Sequence, residues 1–188
     1  KQVLDPVPMD RENANRWYSS IFEVLKNIAD ATSQLFLTGD LPNIKSIREG
    51  DIADSIEAIN EIINLPGQKS IVFLEGVPGA GKTLVGLKTV HDQHRINPGS
   101  KPIYLSGNGP LVNILQTTLT SAGADGKAFI QDMHVFKWHH KGRLPVNNVI
   151  VFDEAQRAWD AKKNKGVSEP ESLLRILNGK PAVTLICL

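Results

Sequence analysis

Two stretches early in the chain carry apolar residues at helical spacing, and the pattern then changes to short solid runs. Trp17, Tyr18, Ile21, Phe22, Leu25 and Ile28 fall on one broad helical face. Ile52, Ile56, Ile59, Ile62 and Ile63 form a second stripe, stopped by Leu65-Pro66-Gly67. Between them Thr38-Gly39-Asp40-Leu41-Pro42-Asn43 is a turn-rich break. From Lys69 onward strand-like and helix-like segments alternate at 71–75, 82–94, 102–105, 110–122, 148–153, 171–178 and 182–188. That alternation predicts an α/β fold, a parallel sheet with helices on both faces, preceded by a small helical region. The expected division is 1–68 for the helical region and 69–188 for the sheet domain. The segment 124–147 is less regular, with an apolar stretch around Phe129, Ile130 and Val135-Phe136 that suggests one more short strand.

Chemistry enters with Gly76-Val77-Pro78-Gly79-Ala80-Gly81-Lys82-Thr83, which satisfies the phosphate-loop pattern G-x-x-x-x-G-K-[ST]. Ile71-Val72-Phe73-Leu74 before it reads as a buried parallel strand, and Leu84 onward carries a helical pattern. Strand, glycine-rich turn and helix cradle a polyphosphate with backbone N–H groups at a helix N-terminus, here from Gly76 through Leu84. Lys82 is expected to neutralise phosphate charge and the Thr83 hydroxyl to hold Mg²⁺.

A second buried run, Val149-Ile150-Val151-Phe152, ends in Asp153-Glu154, where open α/β sheets place their ligands. One carboxylate, Asp153, suits the water shell of Mg²⁺; the other, Glu154, suits the base that activates water. Acids at a strand end also serve as helix caps, but beside a phosphate loop they describe an ATPase or GTPase site. Ser106-Gly107-Asn108-Gly109-Pro110 follows another strand on the same expected edge. Its small polar groups suit a phosphate or sugar contact, or simply a strand-to-helix turn with Asn108 or Gly109 near the helix start.

The 188 residues suffice for one good core, and 41% hydrophobic with 22% charged residues is an ordinary globular balance. No apolar run reaches the ~20 residues of a membrane span, no secretory pattern opens the chain, and the single Cys187 excludes an internal disulfide. A reducing cytoplasm is the expected compartment. Residues 1–68 hold 6 Lys/Arg against 11 Asp/Glu, and 69–188 hold 15 against 9. The excess of basic residues lies in Lys137-Trp138-His139-His140-Lys141-Gly142-Arg143 and from Arg157 through Lys165. Such patches attract phosphate backbones, with Trp and His available to stack on bases, or form a solvated face.

Taken together, the phosphate loop, the Ser106–Leu111 loop and Asp153-Glu154-Ala155-Gln156-Arg157-Ala158-Trp159 resemble the superfamily 1 helicase-like ATPases. The similarity covers roughly residues 69–188 and is nearest their bacterial branch related to the Schlafen-type helicase domain. The resemblance implies a RecA-like sheet binding ATP and Mg²⁺. Lys82 and Thr83 would hold phosphate and metal, Asp153 the metal's water shell and Glu154 the attacking water. Gln156 would couple nucleotide state to neighbouring motifs, and Ser106 through Pro110 would meet single-stranded DNA or RNA. Relatives often carry a nuclease or effector domain and are suspected of phage defence.

The chain departs from that family in offering room for one lobe only, with no convincing adenine-reading Gln. A missing second lobe with its arginine fingers would lower turnover ~10³–10⁵-fold, so the expectation is a fragment that binds nucleotide and hydrolyses it feebly. Three functions remain open: a nucleic-acid motor, a nucleotide-gated switch acting on an effector or partner, and, less favoured, a small-molecule kinase.

Overall fold

The computed structural model describes residues 28–40, 49–155 and 166–188. Two helices come first, α1 (Ile28–Thr38) and α2 (Glu49–Ile63). Of the first expected helical stripe only Ile28 lies among the described residues, opening α1; Trp17 through Leu25 lie outside them. The alternating part follows as β1 (Lys69–Phe73), α3 (Lys82–Ile96), β2 (Ile103–Ser106), α4 (Gly109–Ser121), α5 (Gly126–Phe129) and β3 (Ile130–Asp132). It continues with α6 (Met133–His139), β4 (Val149–Asp153), α7 (Glu169–Leu177) and β5 (Val183–Cys187).

The five strands are all parallel, in the order β1-β5-β4-β2-β3. This is the α/β, RecA-like arrangement expected, with helical segments N-terminal to it. Successive strand residues point to opposite faces. Tyr104, Val151 and Ile186 join Leu87 and Val90 of α3, Leu115 of α4, Leu35 of α1 and Ile59 of α2 in one core. Leu105, Ile150, Phe152 and Leu185 join Met133 and Phe136 of α6 and Leu173 of α7 in the other. Covered on both sides, β2, β4 and β5 are buried at every position and apolar except at Ser106, Asp153 and Thr184.

β1 corrects an expectation. It is not a strand buried on both faces but the edge of the sheet among the described residues, alternately exposed and half-buried. Phe73 is 72% exposed, because no described helix covers that face beneath β1. The segment 124–147 departs as well. Ile130–Asp132 is the short strand, whereas Val135-Phe136 belongs to α6, whose start is fixed by Asp132 accepting from the N–H groups of His134 and Val135.

α3 crosses the first face at close range. A Cβ on Gly86 would lie 2.6 Å from Leu188 and 2.8 Å from Val151, so only glycine lets the helix approach the sheet this nearly. The helix is anchored by Leu87 and Val90, fully buried, each contributing about 1.5–3 kcal/mol. α2 is tied to it by Gln93 donating to Asn60 at 3.0 Å.

Candidate functional site

Strand register brings the sequence motifs together. Ser106 of β2 stands opposite Asp153 of β4 and Asp132 of β3, and Phe73, just before the glycine-rich loop, stands opposite Cys187 of β5. The loop, the acidic pair and the Ser106–Pro110 turn therefore share the C-terminal edge of the sheet, where parallel α/β proteins bind ligands.

The loop from Gly76 to Gly81 is largely exposed and turns on Ala80 donating to the Val77 carbonyl at 3.1 Å. Gly79 and Gly81 adopt φ of 83° and 87°, the left-handed region that side-chain-bearing residues avoid. Gly81 caps α3 without a side-chain hydrogen bond, and no acidic residue occupies the first turn. The first N–H groups of α3 thus lack side-chain caps and carry the positive end of the helix dipole. Lys82 folds back over the loop, its Nζ donating to the Gly76 carbonyl at 2.6 Å and the Val77 carbonyl at 3.2 Å. An anion seated on the loop would draw that ammonium off two neutral acceptors.

One helical position further, the Thr83 hydroxyl donates to Asp153 Oδ1 at 3.4 Å, a long contact. Asp153 is 4% exposed. Burial raises its pKa above the ordinary carboxylate value; the adjacent Glu154 charge adds to the rise, and the Tyr104 and Thr83 hydroxyls oppose it. Glu154 follows with φ 55°, left-handed for a residue with a side chain, at the turn that ends β4. Strain of this kind clusters at functional sites and costs about 1–3 kcal/mol. Thr83 and Asp153 offer hard oxygen donors on one side of an uncapped helix start, a donor set that suits Mg²⁺ beside a polyphosphate. Among the described residues no cluster of three or more His, Cys, Asp or Glu provides a self-contained metal cage.

The Ser106–Pro110 turn is more engaged than its sequence suggests. The Asn108 side-chain oxygen accepts from Leu111 N–H at 3.2 Å and caps α4, while Ser106 Oγ accepts from Asn108 N–H. Gly107 has nothing within 4 Å of a notional Cβ, nor has Gly109, and the turn stays open there. Gln156, with the Arg157–Lys165 cluster, lies outside the described residues.

The other basic cluster stands apart from this edge. α6 and the turn after it form, with α7, a groove of about 750 Å³ lined by Lys137, Trp138, Lys141, Arg143 and Arg175. Lys137 is an ion-pair partner of buried Glu169 at 2.7 Å and pins α6 to α7, so it is not a free cation. Trp138 is 74% exposed.

One buried residue at the edge was not singled out from sequence. Tyr104 is fully buried beneath α3, and its hydroxyl makes no hydrogen bond at ordinary bonding distance. The available signal was a phenol in an otherwise aliphatic strand, Ile103-Tyr104-Leu105, just before the turn.

A parallel RecA-like sheet with a phosphate-loop sequence and two carboxylates at one edge defines a helicase-like α/β protein. Residues 69–188 match the Schlafen group 3 DNA/RNA helicase domain, and the chain belongs to that family. Membership links it to helicase-related function on nucleic acid. No curated protein resembles the chain closely enough to count as a match. No helix among the described residues is long and apolar enough to cross a membrane.

Proposed function

We propose that residues 69–188 form the ATP-binding lobe of an ATP-dependent nucleic-acid helicase or translocase, with α1 and α2 packed beside it. The observation that carries this reading is the convergence at one sheet edge of the uncapped α3 start, Lys82 and the Thr83–Asp153 pair. On this reading the N–H groups from Gly79 to Leu84 bind the β-phosphate, and Lys82 exchanges the Gly76 and Val77 carbonyls for phosphate oxygens. Thr83 directly and Asp153 through water would hold Mg²⁺, which supplies neutralisation of developing phosphate charge. Glu154 accepts the proton of the attacking water from the strained turn. Arginine from a second lobe would complete the transition-state environment, and single-stranded DNA or RNA would run past Gly107 and Gly109.

A nucleotide-gated switch, acting on an effector domain or partner without translocation, is the second reading. It is favoured by Asn108, whose side chain is committed to capping α4. ATP hydrolysis by the full-length protein, with and without single-stranded DNA or RNA, separates the two. A motor is stimulated by one polymer, and Glu154→Gln abolishes that turnover while ATP stays bound. Hydrolysis indifferent to both polymers moves the assignment to the switch.

A further inference from the structure

Beneath the Thr83–Asp153 contact lies a polar group that the fold leaves unsatisfied. The Tyr104 hydroxyl has Asp153 and Thr83 as polar neighbours, near enough for each to act on it, yet it makes a hydrogen bond of ordinary geometry to neither. A buried hydroxyl without a partner leaves its lost hydration uncompensated and destabilises the fold. It is the only such buried side-chain atom among the described residues. Packing explains why it stays there. The ring lies under α3, with its Cε2 3.1 Å from where a Cβ on Gly86 would be, so it is held by the close helix–sheet approach rather than by its hydroxyl. Thr83 and Asp153 thus make one long contact, and the Tyr104 hydroxyl beneath it joins neither of them at bonding distance.

We infer that Tyr104 is a positioning residue of the cation site: its O–H donates to the Asp153 carboxylate when the metal–nucleotide complex is bound. The inference rests on the nucleotide-binding reading above. When Thr83 turns its oxygen lone pair toward a cation, its proton is no longer held toward Asp153. The Tyr104 hydroxyl is then the remaining side-chain donor beside that carboxylate, alongside the Glu154 N–H, and by donating to one oxygen it would fix the other toward the metal's water shell. Outer-shell partners of this kind typically contribute 10–100-fold to metal affinity. The hydroxyl that the fold itself leaves unmatched gains its partner with the metal–nucleotide complex.

Tyr104→Phe removes the hydroxyl and keeps the ring. The test is a Mg²⁺ titration of fluorescent ADP binding to the full-length protein, with melting of both proteins in EDTA and Lys82→Ala as the binding control. The Mg²⁺ concentration for half-maximal binding is expected to rise about 10–100-fold in Tyr104→Phe. Affinity in EDTA should stay within about twofold of wild type, and the EDTA melting temperature should be unchanged or higher. A Mg²⁺ midpoint within about twofold of wild type overturns the inference while leaving nucleotide binding standing. A clear fall in EDTA melting temperature also overturns it, because the hydroxyl would then be satisfied without metal. Failure of wild type itself to bind ADP at any Mg²⁺ concentration, matched by Lys82→Ala, removes the nucleotide reading and the inference with it.

Discussion

Lys82→Ala tests the nucleotide reading most directly, because the structure separates what Lys82 does for the fold from what it does for a ligand. Its ammonium donates to two backbone carbonyls at 2.6 and 3.2 Å on a loop open to water. Losing two half-exposed hydrogen bonds should lower stability by about 2 kcal/mol or less. A phosphate charge about 4 Å away, at an effective dielectric of about 20, attracts the ammonium by about 4 kcal/mol. Leaving the carbonyls gives back about 2 kcal/mol. The remaining ~2 kcal/mol corresponds to about a 30-fold loss of affinity, and more if a second phosphate is within reach. Calorimetric titration of the full-length protein with MgADP, beside a thermal melt, measures both quantities. A folded variant whose affinity stays within about threefold of wild type would refute the reasoning and remove the loop from the binding site.

Two further outcomes follow from particular contacts. Asp153 has a folded-state pKa raised chiefly by burial, above the value it takes unfolded. As pH rises from the unfolded value near 3.8 through the folded one, the unfolded chain loses its proton first and stability falls. Asp153→Asn should flatten that slope in EDTA and raise ligand-free stability above the window, while abolishing Mg²⁺-dependent tightening of nucleotide. A pH–melting profile superimposable on wild type would contradict this. Asn108→Ala should lose the α4 cap and about 1 kcal/mol of stability, with single-strand affinity falling as well, whereas Asn108→Asp keeps the cap. Single-strand binding by fluorescence anisotropy, equal in wild type and both variants, would take the turn out of the nucleic-acid contact surface.

Much of the fold was legible because its signals are local. Helical spacing of the Ile52–Ile63 stripe and the solid runs at Val149–Phe152 and Val183–Cys187 report burial geometry directly. Boundaries moved by a few residues where caps decided them, as when Ser168, accepting from Glu171 N–H, started α7 at Glu169 rather than 171. The Ile71–Leu74 run misled, because an apolar strand is the same in sequence whether or not a neighbour covers it. Val135-Phe136 misled for a related reason: two adjacent apolar residues fit either period, and the Asp132 cap chose the helix. Lys137 looked like a free cation until Glu169, thirty-two residues on, was placed 2.7 Å away.

By itself, then, the sequence determined the alternating α/β plan and the chemistry offered: the Gly76–Thr83 loop and the Asp153-Glu154 pair. Both are short-range patterns whose residue types and spacing carry their own physical meaning. Only the tertiary structure decided that β5 enters between β1 and β4, which leaves β1 at the edge among the described strands and sets the loop across from the acidic pair. It alone decided that Thr83 reaches Asp153, seventy residues away, and that the Tyr104 hydroxyl lies buried beneath them. Strand order and the depth of a helix crossing depend on contacts between distant segments, and no local pattern of polar and apolar residues encodes which segments those are.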